Sequence, residues 1–104
     1  MSEFIQVATT ADLAECERIL VEADDRLVIL FRAGGQYYCL DDVCTHDGGT
    51  LSDGSYENGE IKCPRHGARF DIRTGEAMCM PATEPTAVHE VKVDGDAILV
   101  KIIE

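Results

Sequence analysis

An all-β architecture, an antiparallel sandwich or a partly open barrel, is expected of this 104-residue chain for three reasons. Short runs rich in Val, Ile, Leu, Phe and Tyr recur along it. Turn-forming pairs separate those runs. Only one stretch, at 9–16, has the make-up of a helical turn.

Taken in order, FIQVA (4–8) predicts a strand, and TTADLAEC (9–16) predicts one helical turn capped by Thr10. RILVEA (18–23), RLVILFRA (26–33) and QYYCL (36–40) predict three further strands. They reverse at ADDR and at Gly34-Gly35, the latter a two-residue hairpin signal, so this half reads as a meander. From Asp41 to Gly59 the glycines fall among Asp, Ser, Thr and Asn, a loop composition. EIKC (60–63) and RFDI (69–72) predict short strands, with an RTGE turn after them, and 78–85 reads as a loop holding Pro81 and Pro85. AVHEVKV (87–93), the DGD turn at 94–96 and AILVKII (97–103) form a closing hairpin. A loop-rich stretch of this length inside a compact domain needs something to hold it, because long structureless loops are uncommon unless functional or mobile.

A chain of this size fits one domain, residues 1–104, and buries enough surface to fold without disulfides. Nine Lys and Arg against 20 Asp and Glu give a net charge of -11. Such a surface repels nucleic acid and anionic membranes, and it favours a partner with a basic docking surface. There is no run of 18 apolar residues and no signal-peptide pattern at the N-terminus, so a cytoplasmic location is expected. Five cysteines, an odd number in a chain without an export signal, favour metal binding or catalysis over a disulfide framework.

The two turns that carry chemistry are CTHDGG (44–49) and CPRHGARF (63–70). Cys44 and His46, then Cys63 and His66 after a gap of sixteen residues, offer two thiolates and two imidazoles. Each pair is close enough in sequence to address one centre. These soft and borderline ligands suit tetrahedral zinc or an iron–sulfur centre, whereas calcium and magnesium prefer carboxylates. A zinc finger groups its cysteines and its histidines, and here the types alternate, which argues against a finger without forbidding zinc.

The pattern CxH, a gap of this length, then CxxH resembles that of the Rieske iron–sulfur proteins. Gly67, Phe70, Asp71, the TGE turn and the proline loop at Met80–Ala82 extend the likeness over most of the chain. The resemblance implies three stacked antiparallel sheets, with a cluster-binding part at about 42–82 holding one 2Fe-2S cluster at a loop-rich tip. It implies that Cys44 and Cys63 bind one iron and His46 and His66 the other. Two thiolates and two neutral imidazoles leave the oxidised centre formally neutral, which raises its potential above that of an all-cysteine ferredoxin.

High-potential members of the family carry a disulfide between the loops, at positions that are Gly49 and Arg65 here, and hydroxyl donors where this chain has Ala68 and Phe70. Their absence implies a potential low in the Rieske range, on the order of -150 mV. The departures resemble the soluble ferredoxins that pass single electrons from a flavin-dependent NAD(P)H reductase to the terminal oxygenase of a bacterial aromatic-ring dioxygenase system. On that likeness the chain is a monomeric carrier and transforms no substrate itself. His46 and His66 would expose their outer nitrogens, so the potential should fall at alkaline pH. The alternatives are a small subunit of an assimilatory nitrite reductase and a non-redox zinc-binding interaction module.

The remaining candidates take ordinary readings. Cys39 is expected in the core, Cys16 and Cys79 match no ligand position, and Met78 and Met80 are expected to pack. His89 is expected to be solvated. Leu51 is expected to shield the iron and Pro81 to cover it, while Asp47 and Arg65 are exposed charges or docking residues.

Overall fold

Reversals at paired turn residues set the layout. Asp24 and Asp25 have φ of 54° and 62°, Gly34 and Gly35 of 59° and 77°, and Asn58 and Gly59 of 53° and 80°. Positive φ at both central positions matches the right-handed twist of the strands they join, and Asp, Asn and Gly tolerate it best. The structure, a computed structural model, describes residues 3–14, 17–42, 51–64, 67–79 and 86–103. Its strands are β1 (Ile5–Thr9), β2 (Arg18–Ala23), β3 (Arg26–Ala33), β4 (Gln36–Asp41), β5 (Ser55–Glu57), β6 (Glu60–Lys62), β7 (Arg69–Asp71), β8 (Ala77–Cys79), β9 (Val88–Asp94) and β10 (Ala97–Lys101).

All strand pairings are antiparallel, in a six-stranded sheet ordered β1-β10-β9-β4-β3-β2 and a four-stranded sheet ordered β5-β6-β7-β8. The larger sheet is two three-stranded ribbons joined at a short seam, where Cys39 pairs with His89 and Leu40 with Val88. Counted as ribbons, these are the three antiparallel sheets that the resemblance implies. β1 and β2, the outer strands of the large sheet, come into contact, which curls the sheet toward a partly open barrel.

β3 shows why the chain folds in layers. Val28, Ile29, Leu30 and Phe31 are all buried, so both faces of the strand are covered. Val28 and Leu30 pack inside the curl with Leu13, Cys39, Ile98 and Val100. Ile29 and Phe31 pack with Leu40 against the small sheet, whose contribution is Leu51, Ile61, Cys63, Ala68, Phe70 and Ile72. The Phe31 and Tyr56 rings, 5.7 Å between centroids, bridge the two sheets. Each large apolar side chain fully withdrawn from water contributes about 1.5–3 kcal/mol, so this interface fastens the small sheet to the large one.

The helical turn differs from expectation. It is a 3-10 turn, Thr10–Leu13, and its cap is Thr9, whose N–H and hydroxyl donate to Asp12 Oδ2 at 2.8 and 3.2 Å. β5 lies within the stretch expected as loop, and most of β8 falls in the expected proline loop. Met78, expected to pack, is 46% exposed.

His89, expected to be solvated, is buried. Its Nε2 lies 2.7 Å from Asp41 Oδ1, and the Ile103 N–H donates to Nδ1 at 3.0 Å. An acceptor at Nδ1 leaves the neutral ring's proton on Nε2, where it is donated to Asp41. Arg26 stands 3.6 Å from the other oxygen of that carboxylate. The seam between the ribbons thus has a polar bond across it, and the C-terminal segment is tied to it.

Candidate metal centre

Cys63 is the one of the four expected ligands that lies within the described residues. β6 and β7 form a hairpin whose last ladder pair is Lys62 with Arg69, and Cys63 follows directly. The Cys63 N–H donates to the Ala68 carbonyl at 2.6 Å, and the Gly67 N–H donates to the Cys63 carbonyl at 3.1 Å. Gly67 has φ of 80°, which lets the chain turn within this span. Backbone bonds that continue the ladder therefore hold the two described ends of this loop, Cys63 and Gly67–Ala68, together. The Cys63 thiol is free of any disulfide and buried beside Leu51, Ala68 and Phe70. A recess lined by Asp53, Gly54, Cys63, Pro64 and Gly67 opens next to it.

The first loop joins β4 of the large sheet to β5 of the small one, and among the described residues no ladder pair spans its two ends. A side chain holds those ends instead. Asp42, 5% exposed, accepts from the Leu51 N–H and the Ser52 N–H through Oδ1, each at 2.7 Å, and from the Ser52 hydroxyl through Oδ2 at 3.1 Å. Its own N–H donates to Leu27 of β3 at 3.2 Å. The next residues are held as firmly. The Gly54 N–H donates to the Leu51 carbonyl at 2.9 Å, and Arg18 Nη2 donates to the Gly54 carbonyl at 2.6 Å. Gly54 runs so close to the Lys62 carbonyl that an added Cβ would collide with it.

The residues on either side of 80–85 are held by the small sheet and its turn. β8 pairs with β7, and the Thr86 N–H donates to the Gly75 carbonyl at 2.8 Å. Gly75, at φ of 75°, sits where a Cβ would strike the Thr86 carbonyl.

Cys44, His46 and His66 lie outside the described residues, as do Cys16, Asp47, Gly49, Arg65, Met80 and Pro81. Among the described residues, no three His, Cys, Asp or Glu side chains are gathered as metal ligands. Cys39 is fully buried, and burial, reinforced by the Asp41 charge, pushes its thiol pKa up to about 12. It therefore stays a protonated core residue, as expected. His89 has both ring nitrogens engaged within the protein and has none to offer a metal. Nothing in its sequence context marks Asp42, which stands in a loop composition beside Asp41. The available signal was its type, since Asp side chains commonly bond backbone N–H groups further along a loop.

The residues present fit an iron–sulfur centre. A buried, unpaired thiol stands in a closed hairpin loop, apolar side chains pack around it, and the donor set is two sulfurs and two imidazole nitrogens. Ala68 and Phe70 are both fully buried beside Cys63, and neither can donate a hydroxyl hydrogen bond to it.

Comparison with known proteins agrees. The chain is 34% identical over 101 residues to the 3-phenylpropionate/cinnamic acid dioxygenase ferredoxin subunit of Escherichia coli (strain K12), covering 96% of this chain and 94% of that protein. Its fold is similar to the ferredoxin of carbazole 1,9a-dioxygenase from Nocardioides aromaticivorans IC177, with a TM-score of 0.87, 33% identity, and coverage of 93% of this chain and 95% of that one. It is also similar to a chain in the complex of reduced oxygenase and oxidized ferredoxin in carbazole 1,9a-dioxygenase, with a TM-score of 0.85, 31% identity, and coverage of 93% and 91%. The sequence profile of the Rieske [2Fe-2S] domain matches residues 3–100. By this match and by its buried hairpin thiol, the chain belongs to the Rieske [2Fe-2S] domain family and takes one 2Fe-2S cluster.

Proposed function

We propose that the chain is a one-electron carrier, taking electrons from a flavin-dependent NAD(P)H reductase and delivering them to the terminal oxygenase of a ring-hydroxylating system. The observation that carries this reading is its likeness, over nearly the whole length of both chains, to the ferredoxin subunit of a dioxygenase. The same likeness favours a carrier over a nitrite reductase subunit or a zinc-binding module. A related chain is found in a complex of reduced oxygenase and oxidized ferredoxin, which supports an oxygenase as the acceptor.

In this reading Cys44 and Cys63 hold one iron, and His46 and His66 the other. When bound, a Rieske-type cluster supplies one reversible electron. The protein's part is to hold and insulate. Cys63 presents its sulfur from a closed hairpin, and Leu51, Ala68 and Phe70 keep water from its inner side. Without hydroxyl donors at 68 and 70 the reduced form lacks hydrogen bonds that would stabilise it, and a potential low in the Rieske range follows. The net charge of -11 selects partners with basic docking surfaces. One domain, residues 1–104, carries the function as a cytoplasmic monomer, with the ligand-bearing part at about 42–82. Among the described residues, no helix is long and apolar enough to cross a membrane.

The test uses anaerobically purified protein. It should contain iron and inorganic sulfide in equal amounts, give a low-average-g EPR signal once reduced, bleach with NADH and a flavoprotein reductase, and recolour on adding a ring-hydroxylating oxygenase. Cys63→Ser should lose the colour and most of the iron. Protein without sulfide, or a reduced form that no such oxygenase reoxidises, would overturn the reading.

A further inference from the structure

The two ligand-bearing loops are closed by different means. The second lies within a hairpin, where the backbone bonds of Cys63, Gly67 and Ala68 continue the β6–β7 ladder. The first crosses between sheets, and among the described residues no ladder pair joins its two ends. There, Asp42 stands just before the segment 43–50 and grips the two residues just after it.

We propose that Asp42 is a positioning residue for the cluster: its carboxylate clasps Leu51 and Ser52, and so holds together the two ends of the segment that carries Cys44 and His46. Oδ1 accepts from both backbone N–H groups at 2.7 Å, and Oδ2 accepts from the Ser52 hydroxyl at 3.1 Å. The clasp is fixed at its base by the Asp42 N–H bond to Leu27 of β3. On the far side, Leu51 is fully buried in the cluster of side chains that contains Cys63. One carboxylate therefore links the start of the first loop to the packing around the second loop's cysteine. Bonds from N–H groups to a buried charged acceptor are stronger than neutral ones, and a segment whose two ends are held in advance spares the metal part of the ordering entropy.

The proposal rests on the ligand assignment above, and its test separates the two. Holoprotein is prepared as wild type, Asp42→Ala, Asp42→Asn and Ser52→Ala. Iron release to a chelator is timed in mild urea, and unfolding of the same samples is followed by far-UV circular dichroism. Asp42→Ala should release iron roughly ten- to a hundredfold faster than wild type at urea concentrations where the strand signal is intact. Asp42→Asn keeps a neutral acceptor at Oδ1 and should fall between them, a graded rescue that general destabilisation does not produce. Ser52→Ala loses only the longer bond and should stay within about threefold of wild type.

Release from Asp42→Ala and Asp42→Asn at the wild-type rate would overturn the clasp, as would release that coincides with unfolding in every variant. If Asp42→Ala does not fold, Asp42→Asn decides by the same criterion. Wild-type protein that takes up no iron overturns the ligand assignment and the clasp together, whereas loaded wild type with indifferent variants overturns the clasp alone.

Discussion

Cys39 and Cys63 are both buried thiols, yet only Cys63 stands in a loop of the candidate metal centre. Cys39 lies in the middle of β4 with Asp41 on the same face, and its pKa is pushed from an ordinary 9.0 to about 12, by burial first and by Asp41 second. Between those values the unfolded chain has released a proton that the native chain keeps. The stability present below pH 9 is therefore lost as the pH rises toward about 12, by up to about 1.4 kcal/mol per pH unit. Urea unfolding from pH 8 to 11 should show Cys39→Ala less stable than wild type at pH 8, with the difference shrinking as the pH climbs. Curves that stay parallel would contradict this. The core placement of Cys39 was legible because a small apolar-like residue sat in an apolar run. That of His89 was not, because its burial depends on Asp41, 48 residues away in sequence, and on a backbone donor at Ile103. A single strand's alternation carries no trace of either partner.

The longer strands could be read from their own residues, because five to eight positions give a periodic pattern and paired turn residues mark the reversals. β5 and β8 could not. Each has three residues in a loop-like setting, SYE between Gly54 and the Asn58-Gly59 turn and AMC just before the prolines, and each is a strand because β6 or β7 supplies the ladder beside it. The same stretch hid the role of Gly54, which reads as loop composition but is required by the approach of its backbone to the Lys62 carbonyl. Gly54→Ala should displace β5 from β6, or the turn that follows Leu51, and destabilise the protein by more than about 2 kcal/mol in urea unfolding. An unchanged midpoint would mean that the turn relaxes freely. Of the candidate centre, the four ligand types and their spacing were legible, since they are local in sequence. The devices beside the first loop were not, since no residue type fixes which N–H groups Asp42 will bond nine residues on, and the Arg18 bond to Gly54 joins residues 36 apart.

Charge acts on the protein as a single body. With a net charge of -11, encounter with a basic reductase or oxygenase should be steered, and the steering is screened once the Debye length falls to about 10 Å near 0.1 M salt. Stopped-flow rates of electron transfer to such a partner should drop about tenfold or more from low to high salt, and a flat profile would show that docking is apolar instead. The seam between β4 and β9 also bears on the origin of the architecture. Asp41 donates its N–H to Ala87, and Leu40 pairs with Val88, so everything from 42 to 86 leaves and re-enters the large sheet at neighbouring points. In topology that segment is a graft: its two stitches lie side by side, and a short hairpin connection could replace it without re-routing any strand of the scaffold. What resists excision is the apolar underside of Ile29, Phe31 and Leu40, which would be left bare. A scaffold relieved of its insert would need that whole underside made polar, Tyr38 and Val88 at its margin included, and a new metal-bearing insert could be sewn into the same opening.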